Sequence, residues 1–439
     1  MTTASHISTS QDAEHVTLTI YNDNFGAVKE RRRMPALTGC SQISYMDVAA
    51  RIETDSILVK GVDVLEMNYE YDLVNKTKLL EKYLDHTVYV RTADGGRTAY
   101  RLLSVIHGIV LEHTESKEIV LDPGGELVLP SLPDGLIVRP ALNWRIRPTD
   151  GAQQIDVSYL TKGFAWTVNY VMNLQEDKLA LTGWVDIKNE TGTTFPNARI
   201  KLIAGEVNRV EDPELYYPSP IVYSKCVEDS GSAFEEKAFA DYHLYTLQGE
   251  TTLKNEQSKQ VRLFQAEDVP CRIYYACNTG AKRTDIMVNF DNDEASRLGI
   301  PLPKGKIKVY QEDPADGQHE FIGEDEIEHT PKNESVWLHI GEAFDIVLEH
   351  KRTELKRVGR GHTAESHQVM IRNHKSMSAH IKLSHRIHSR FWRISETSHP
   401  YEKMGTSGIE YRLDVPAGGE MLVIFTIELD EKLTVYVES

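Results

Sequence analysis

The sequence predicts a mainly β protein, in which several antiparallel β domains follow one another and an immunoglobulin-like sandwich ends the chain. Three observations predict this class. Apolar and polar residues alternate with a period of two through most of the chain, helical windows are few and short, and the strand–long helix–strand rhythm of a parallel α/β sheet does not occur. Turn residues, mainly Pro and Gly, separate the alternating segments at spacings typical of antiparallel sheets.

The alternation is clearest in four segments, and each is predicted to be a strand with one buried face, because successive side chains of a strand point to opposite sides. The apolar positions of these strands are Val16, Leu18 and Ile20; Trp166, Val168, Tyr170, Met172 and Leu174; Leu179, Leu181, Val185 and Ile187; and Ala379, Ile381, Leu383, His385 and Ile387.

Helical patterns occur in three short windows, at residues 46–52, 77–84 and 234–242. None of them is long enough to organise a core, so we expect less than roughly a fifth of the residues to be helical.

The domain organisation follows from length and turn chemistry, because 439 residues are too many for one hydrophobic core. Residues 122–151 are rich in proline and glycine and are predicted to be a boundary between domains, here called a seam. A second seam is the polar segment 311–334. These seams predict three domains. They are an N-terminal β domain at 1–148, a central β-sandwich at 149–343 with an insertion at about 211–241, and an immunoglobulin-like domain at 344–439.

Charge and composition exclude several classes of protein. The 66 acidic and 49 basic residues give a net charge of −17, which would repel nucleic acid or an anionic membrane. Continuous apolar stretches of about 18 residues, which a spanning helix needs, do not occur. The Ser/Thr-rich start resembles no signal peptide, so a cytoplasmic location is expected. Four widely spaced cysteines predict no disulfide framework.

Histidines are the first place to look for a metal site, because six of the 17 lie between residues 362 and 388. Within one strand, His385 shares the apolar face, whereas His380 and His388 point the other way and lie about 26 Å apart. These two cannot share an ion, and we predict no metal and no cofactor. Pairing across strands, for instance of His367 with His385, stays open beside packed or solvated histidines.

A second candidate combines Glu206, Asn208 and Arg209 at the end of a predicted strand. In a functional reading, Glu206 is a general acid or base and Arg209 binds an anion. In the opposing interpretation, Glu206 only accepts hydrogen bonds from neighbouring backbone or Lys groups at the end of the strand. Strand geometry favours this interpretation, because Arg209 lies on the opposite strand face and the three side chains converge only through a bulge.

Aromatic residues offer a third candidate, a carbohydrate surface that includes Tyr159, Trp166 and Tyr170. Trp166 and Tyr170 lie on the same face of the predicted strand as its apolar residues, which favours packing in the core. Trp184 stands between the polar residues Thr182 and Asp186, and is therefore the better ligand-binding candidate.

Six phrases together resemble one bacterial family, the domain of unknown function 4139, related to the mucoidy inhibitor A-like proteins. They are YNDNFGAVKE at 21–30, YLTKGFAW at 159–166, LIAGEVNR at 202–209, YHLYTL at 242–247, GIPLPKG at 299–305 and GEAFDIV at 341–347. The resemblance covers most of the chain in family order. It implies a mostly β protein of unknown biochemistry, often exported in relatives, and supplies no catalytic residues. It therefore offers a cell-surface or extracellular location as the alternative to the cytoplasm.

Two functions fit these observations. The first is a non-catalytic structural or protein-interaction protein that associates with a protein partner, a second copy first, because catalytic motifs are missing and strand edges must be covered or used. The polar tail 2–15 is expected to stay disordered unless a partner binds it, for example by strand addition. The alternative is a carbohydrate-binding or hydrolytic protein whose site comes from separate loops.

Overall fold

The computed structural model of the protein describes residues 4–35, 37, 39–70, 76–91, 95–131, 133, 139–148, 154–205, 207–209, 234–239, 242–281, 283–359, 361–389 and 391–430. It is mainly β, with 65% strand and 4% helix, which confirms the predicted fold class and the low helix content. The predicted insertion at 211–241 lies largely outside the described residues.

Strands fill both halves of the chain, and in the first half they are broken by two short 3-10 helices and one short α-helix. The strands here are β1 (Ala4–Ser8), β2 (Ala13–Tyr21), β3 (Phe25–Arg33), β4 (Cys40–Met46), β5 (Leu58–Lys60), β6 (Val64–Glu70), β7 (Thr87–Arg91), β8 (Arg97–Ser104), β9 (Val110–His113), β10 (Ile119–Leu121), β11 (Glu126–Val128), β12 (Ala141–Ile146), β13 (Gln154–Lys162), β14 (Phe164–Leu174), β15 (Lys178–Asn189) and β16 (Phe195–Ala204). The helices are Ser10–Asp12, Thr54–Ser56 and α1 (Lys76–Lys82).

The second half contains the two longest described strands, of 22 and 14 residues, together with shorter ones. They are β17 (Phe234–Phe239), β18 (Tyr242–Leu247), β19 (Thr251–Leu253), β20 (Gln257–Asn278), β21 (Thr284–Asp291), β22 (Gly305–Glu312), β23 (His319–Ile327), β24 (Ser335–Glu342), β25 (Ile346–Gly359), β26 (His362–Asn373), β27 (Ala379–Arg386), β28 (Trp392–Thr397), β29 (Glu402–Lys403), β30 (Gly408–Val415) and β31 (Glu420–Asp430).

These strands form five sheets. Their orders are β1-β4-β12-β6; β10-β9-β8-β7-β11; β17-β18-β16-β2-β3-β13-β5 with β19 on β16; β23-β22-β14-β15-β20-β27-β30-β29 with β21 and β24 attached through β20; and β25-β26-β31-β28. Pairing is mostly antiparallel, as predicted. Parallel pairs nevertheless join strands distant in sequence, such as β16 with β2 and β20 with β27. Such pairs need long crossovers, which local turn signals do not reveal.

The chain divides into two compact units that alternate along the sequence. One comprises Met1–Ala165, Lys188–Glu206 and Leu244–Ser258, and the other comprises Trp166–Ile187, Val207–His243 and Lys259–Ser439. The three consecutive domains stay a prediction. Strand β12 lies between prolines of the first proposed seam and pairs on both sides, with β4 and β6, and β23 occupies the second seam. Strand β12 is therefore a central strand even though the segments on both sides of it are rich in proline.

The predicted helix at residues 77–84 is confirmed as α1, but the other two windows are wrong. Residues 234–239 form β17, because strand pairing in the eight-stranded sheet replaces local helical hydrogen bonds. Met46 ends β4, residues 47–51 are irregular, and Ile52 forms an isolated bridge with Thr161. Their backbone groups bond to distant segments, since Asp47 N donates to Pro140 O and Ala50 N donates to Thr191 O.

Residues 4–15 pair within their own chain, which corrects, for this part of the tail 2–15, the expectation of disorder without a partner. Strand β1 lies parallel to β4, and Ser10 donates through its backbone N and Oγ to Asp47 Oδ2, at 3.0 Å each. Fully buried Arg32 donates from Nη1 to Ser8 O at 3.1 Å. Backbone groups of the N-terminal segment therefore find hydrogen-bond partners elsewhere in the same chain, and these partners cannot be read from the polar sequence.

The part of the second unit that matters for function is its last core, enclosed by β25, β26 and β31 on one side and by β27 and β30 on the other. Val369, Ile371 and Phe425 come from the first group of strands, and Ile381 and Leu383 come from the second. All five are at most 1% exposed. The immunoglobulin-like topology of this region stays a prediction.

Candidate metal centre

The residues predicted as ligand-binding candidates lie in two different surroundings. Trp184 is half-buried on β15, while Asn208 is exposed and Arg209 half-buried after the end of β16. Glu206 lies outside the described residues. The acid, amide and guanidinium site, and the carbohydrate surface around Trp184, therefore stay predictions.

The core assignment of the other aromatic residues is confirmed. Tyr159, Trp166 and Tyr170 are each at most 2% exposed. The Tyr170 hydroxyl donates to Pro303 O at 2.6 Å, which satisfies its only polar group inside the core. These rings are not available to stack on a sugar.

Three histidines meet inside the C-terminal core. His350 lies on β25, His367 on the neighbouring strand β26, and His385 on β27, which belongs to the facing group of strands. One ring nitrogen from each lies within 4.8 Å of the other two. In the part of the chain that the structure describes, this is the only group of three or more His, Cys, Asp or Glu residues close enough to share a metal ion.

Strand periodicity explains why these three side chains converge. His350 continues the inward series begun by Ile346, and His367 continues the series of Val369 and Ile371. Each is the next residue on its strand's inward face, because inward positions recur every second residue. His385 follows the buried Leu383 on β27 in the same way.

Hydrogen bonds fix the orientation of the His350 ring. Its Nδ1 lies 3.1 Å from Thr279 O, and its Nε2 lies 2.9 Å from Nδ1 of His367. A carbonyl oxygen only accepts, so Nδ1 of His350 carries the proton. Its Nε2 therefore presents a lone pair to His367 when the ring is neutral.

The outer nitrogen of His367 faces an acidic group. Nε2 is buried, and the nearest acidic oxygen, Glu365 Oε2, lies 3.4 Å away. A carboxylate next to Nε2 favours a proton on that nitrogen. The remaining atom, Nδ1, then carries a lone pair and points at Nε2 of His350.

Thr279 also holds the third ring. Its Oγ1 lies 2.7 Å from Nδ1 of His385, while its carbonyl bonds His350. One turn residue thus positions two of the three rings. The partners of these histidines are oxygen atoms of the kind that orient metal-binding imidazoles from outside.

The surroundings keep the cluster uncharged. Burial, followed by repulsion from His367, His350 and His388, lowers the pKa of His385 to about 4. Burial likewise lowers the pKa of His350 and of His367 below the usual 6.5, although Glu365 opposes the shift at His367. Neutral imidazole is the form that binds a metal ion.

Aromatic rings line the apolar side of the cluster. Phe425 stacks on His367 with ring centroids 5.1 Å apart and contacts His385 edge-on at 5.0 Å. Tyr411 packs against Phe425 in turn. This packing restricts rotation of the two buried rings and keeps their nitrogens directed at one point.

Part of this group can be read from the sequence. The pairing of His367 with His385 is one of the alternatives that the sequence leaves open, and these rings lie 4.7 Å apart between centroids. His380 and His388 are exposed on the opposite face, as predicted. His350 was missed because it lies outside the histidine-rich window, although its place in an inward apolar series was a usable signal.

No family model and no curated protein matches this chain. The resemblance to the domain of unknown function 4139 therefore stays a prediction. In the described part of the chain, every helix is too short or too polar to cross a membrane.

Proposed function

We propose that this protein binds one divalent transition-metal ion, zinc in the first place, through His350, His367 and His385. The observation that carries the proposal is the 2.9 Å approach of Nε2 of His350 to Nδ1 of His367. Oxygen atoms next to both outer nitrogens favour protons there, which leaves two lone pairs directed at each other. A cation between them converts this repulsion into coordination.

The geometry suits zinc. Zn–N bonds of about 2.0–2.1 Å at tetrahedral angles separate two ligand nitrogens by roughly 3.3 Å. The His350 and His367 nitrogens must therefore move apart by only a few tenths of an ångström, whereas ligand nitrogens that lie up to 4.8 Å apart must approach by as much as about 1.5 Å. Imidazole also binds nickel, copper and cobalt, so zinc is the first ion to test rather than the only one that fits.

The ion would link the two sides of the core. His350 and His367 lie on neighbouring strands of the sheet β25-β26-β31-β28, whereas His385 lies on β27 in the ten-stranded sheet. Metal binding is therefore expected to stabilise this region against unfolding.

The test is a zinc titration of chelator-treated protein by isothermal calorimetry, with metal content measured after dialysis. We expect one ion per chain, and at least a tenfold loss of affinity in His367→Gln and in His385→Gln. The matched controls are His362→Gln on β26 and His380→Gln on β27, which alter exposed histidines of the same strands.

Urea unfolding of the metal-free variants separates loss of ligand from loss of fold. A folded His385→Gln protein that binds zinc as tightly as His380→Gln would overturn the proposal. So would wild-type protein that takes up no stoichiometric zinc, nickel, copper or cobalt.

We propose self-association through strand edges as a second function, favoured by one observation at the end of β25. In the described structure β25 is an edge strand, and Leu355 and Val358 on it are 57% and 61% exposed. The occupant we infer is β25 of a second copy. Antiparallel pairing about Thr353 places Glu354 opposite Arg352 and Glu349 opposite Arg357 of that copy, so the charges are complementary.

Light scattering over a range of protein concentrations tests this second function. We expect a dimer that Leu355→Lys weakens, while Leu121→Lys, which changes an exposed leucine on β10, leaves it intact. Wild-type protein that stays monomeric at high concentration would refute self-association without affecting the metal proposal.

A further inference from the structure

The three histidines leave part of the metal's coordination sphere open. A tetrahedral ion held by three imidazoles keeps its fourth position for water or another ligand. This inference rests on the proposed metal site and concerns what occupies that fourth position.

The open side lies toward the tip of the β25–β26 hairpin. Along β25, side chains from Lys351 to Val358 are all exposed, although the strand stays paired with β26 through this stretch. The facing strands therefore do not cover the hairpin here. His367 is 3% exposed, so the cluster marks the rim at which the buried core ends.

Arg352 is the next residue from the cluster toward this rim. It lies directly opposite His367 in the register of β25 and β26, on the same face of the sheet. Directly opposite side chains have Cβ atoms about 5 Å apart. About half of the Arg352 side chain is exposed, so it can reach a ligand that enters from solvent.

The charges at this rim favour an anion. Nη1 of Arg352 lies 3.3 Å from Oε1 of Glu365. These two charges cancel, and the three neutral imidazoles add none, so the site keeps the full double charge of the ion. Arginine presents several N–H donors in one plane, an arrangement that matches the oxygens of phosphate and carboxylate groups.

We infer that the fourth coordination position takes an oxyanion, a phosphate or carboxylate group, whose second oxygen accepts hydrogen bonds from Arg352. One oxygen of the group binds the ion and displaces water. The guanidinium exchanges part of its contact with Glu365 for the incoming group.

Cobalt provides the readout, because the visible absorption of Co²⁺ reports its coordination. Cobalt-loaded protein is titrated with inorganic phosphate and, separately, with acetate, and sodium chloride serves as the ionic-strength control. We expect a saturable spectral change with at least one of the two oxyanions. The phosphate and acetate arms show which group the site prefers.

The variant Arg352→Gln is expected to weaken oxyanion binding about tenfold or more, while cobalt binding stays within about twofold of wild type. Lys351→Gln is the matched control. It removes a positive charge from the adjacent residue of the same strand, whose side chain lies on the opposite face and pairs with Glu349.

Each outcome separates this inference from the proposed function. Absence of cobalt absorption bands in protein that also takes up no zinc, nickel or copper would overturn the metal site itself. Cobalt bands that respond to neither phosphate nor acetate would overturn the oxyanion inference and leave metal binding intact. An equal loss of oxyanion affinity in Arg352→Gln and Lys351→Gln would show general electrostatics and remove the assigned role of Arg352.

Discussion

Acidification is expected to destabilise the metal-free C-terminal core through His385. This side chain is 9% exposed, and its pKa of about 4 lies below the 6.5 of an unfolded chain. Titratable groups around it are His350, His367 and His388, with Glu365 beside His367. Below pH 6.5 the unfolded chain binds a proton here that the folded chain does not, so stability is complete above pH 6.5 and falls as the pH is lowered.

The size of the effect follows from the difference between the two pKa values. Each unit corresponds to about 1.4 kcal/mol, so the full loss below pH 4 is about 3 kcal/mol. Between pH 7.5 and pH 5 the loss from His385 alone is about 2 kcal/mol. The lowered pKa values of His350 and His367 act in the same direction. Most carboxylates stay charged in this window, which isolates the contribution of the histidines.

Urea unfolding of chelator-treated protein, followed by tryptophan fluorescence at pH 7.5 and pH 5, measures this loss. The variant His385→Gln is expected to flatten the pH dependence by about 2 kcal/mol relative to wild type. His380→Gln makes the same substitution at an exposed position of the same strand and serves as the matched control. An equal loss of unfolding free energy between pH 7.5 and pH 5 in all three proteins would refute the burial argument for His385.

Further predictions concern the metal, the core and the thiols. Zinc at 100 times its dissociation constant should stabilise the fold by about 2.7 kcal/mol and raise the melting temperature by about 5–10 °C, and an unchanged calorimetric transition would contradict metal linkage. Asn373→Ala should cost about 3 kcal/mol in urea, because the two N–H groups of the buried amide are shared among three carbonyl oxygens; a cost under about 1 kcal/mol would contradict this. Gly323→Ala should lower stability by about 1–3 kcal/mol, because a Cβ would clash with the backbone oxygen of Ile340; a wild-type urea midpoint would argue against that clash. Burial raises the pKa of Cys271 and Cys277 to about 11, so mass spectrometry should find neither alkylated by iodoacetamide at pH 8 in native protein, and rapid labelling would show that they are accessible.

Sequence periodicity determined which faces of the strands are buried. Trp166 and Tyr170 are core residues because they share parity with apolar neighbours, and His385 is buried while His380 is exposed for the same reason. The side-chain period of two is local, so it can be read without knowledge of strand partners. The fold class follows from the same local signal, and 65% of the structure is strand.

Tertiary structure decided which strands meet. The polar start of the chain pairs with β4 instead of remaining free, and residues 234–239 become a strand through pairing that helical periodicity in the sequence does not reveal. Both outcomes depend on backbone hydrogen bonds to segments far away in the sequence. Such bonds carry no side-chain signature, because every residue except proline offers the same N–H and C=O groups.

The candidate metal centre combines the two kinds of information. Periodicity predicted that His385 faces inward, but only strand pairing placed His350 beside His367, and only packing of the two sides of the core brought His385 to both. Thr279 completes the arrangement from a turn with no histidine nearby in sequence. A site assembled from four separate segments leaves no spacing motif, because the distances that define it run through space rather than along the chain.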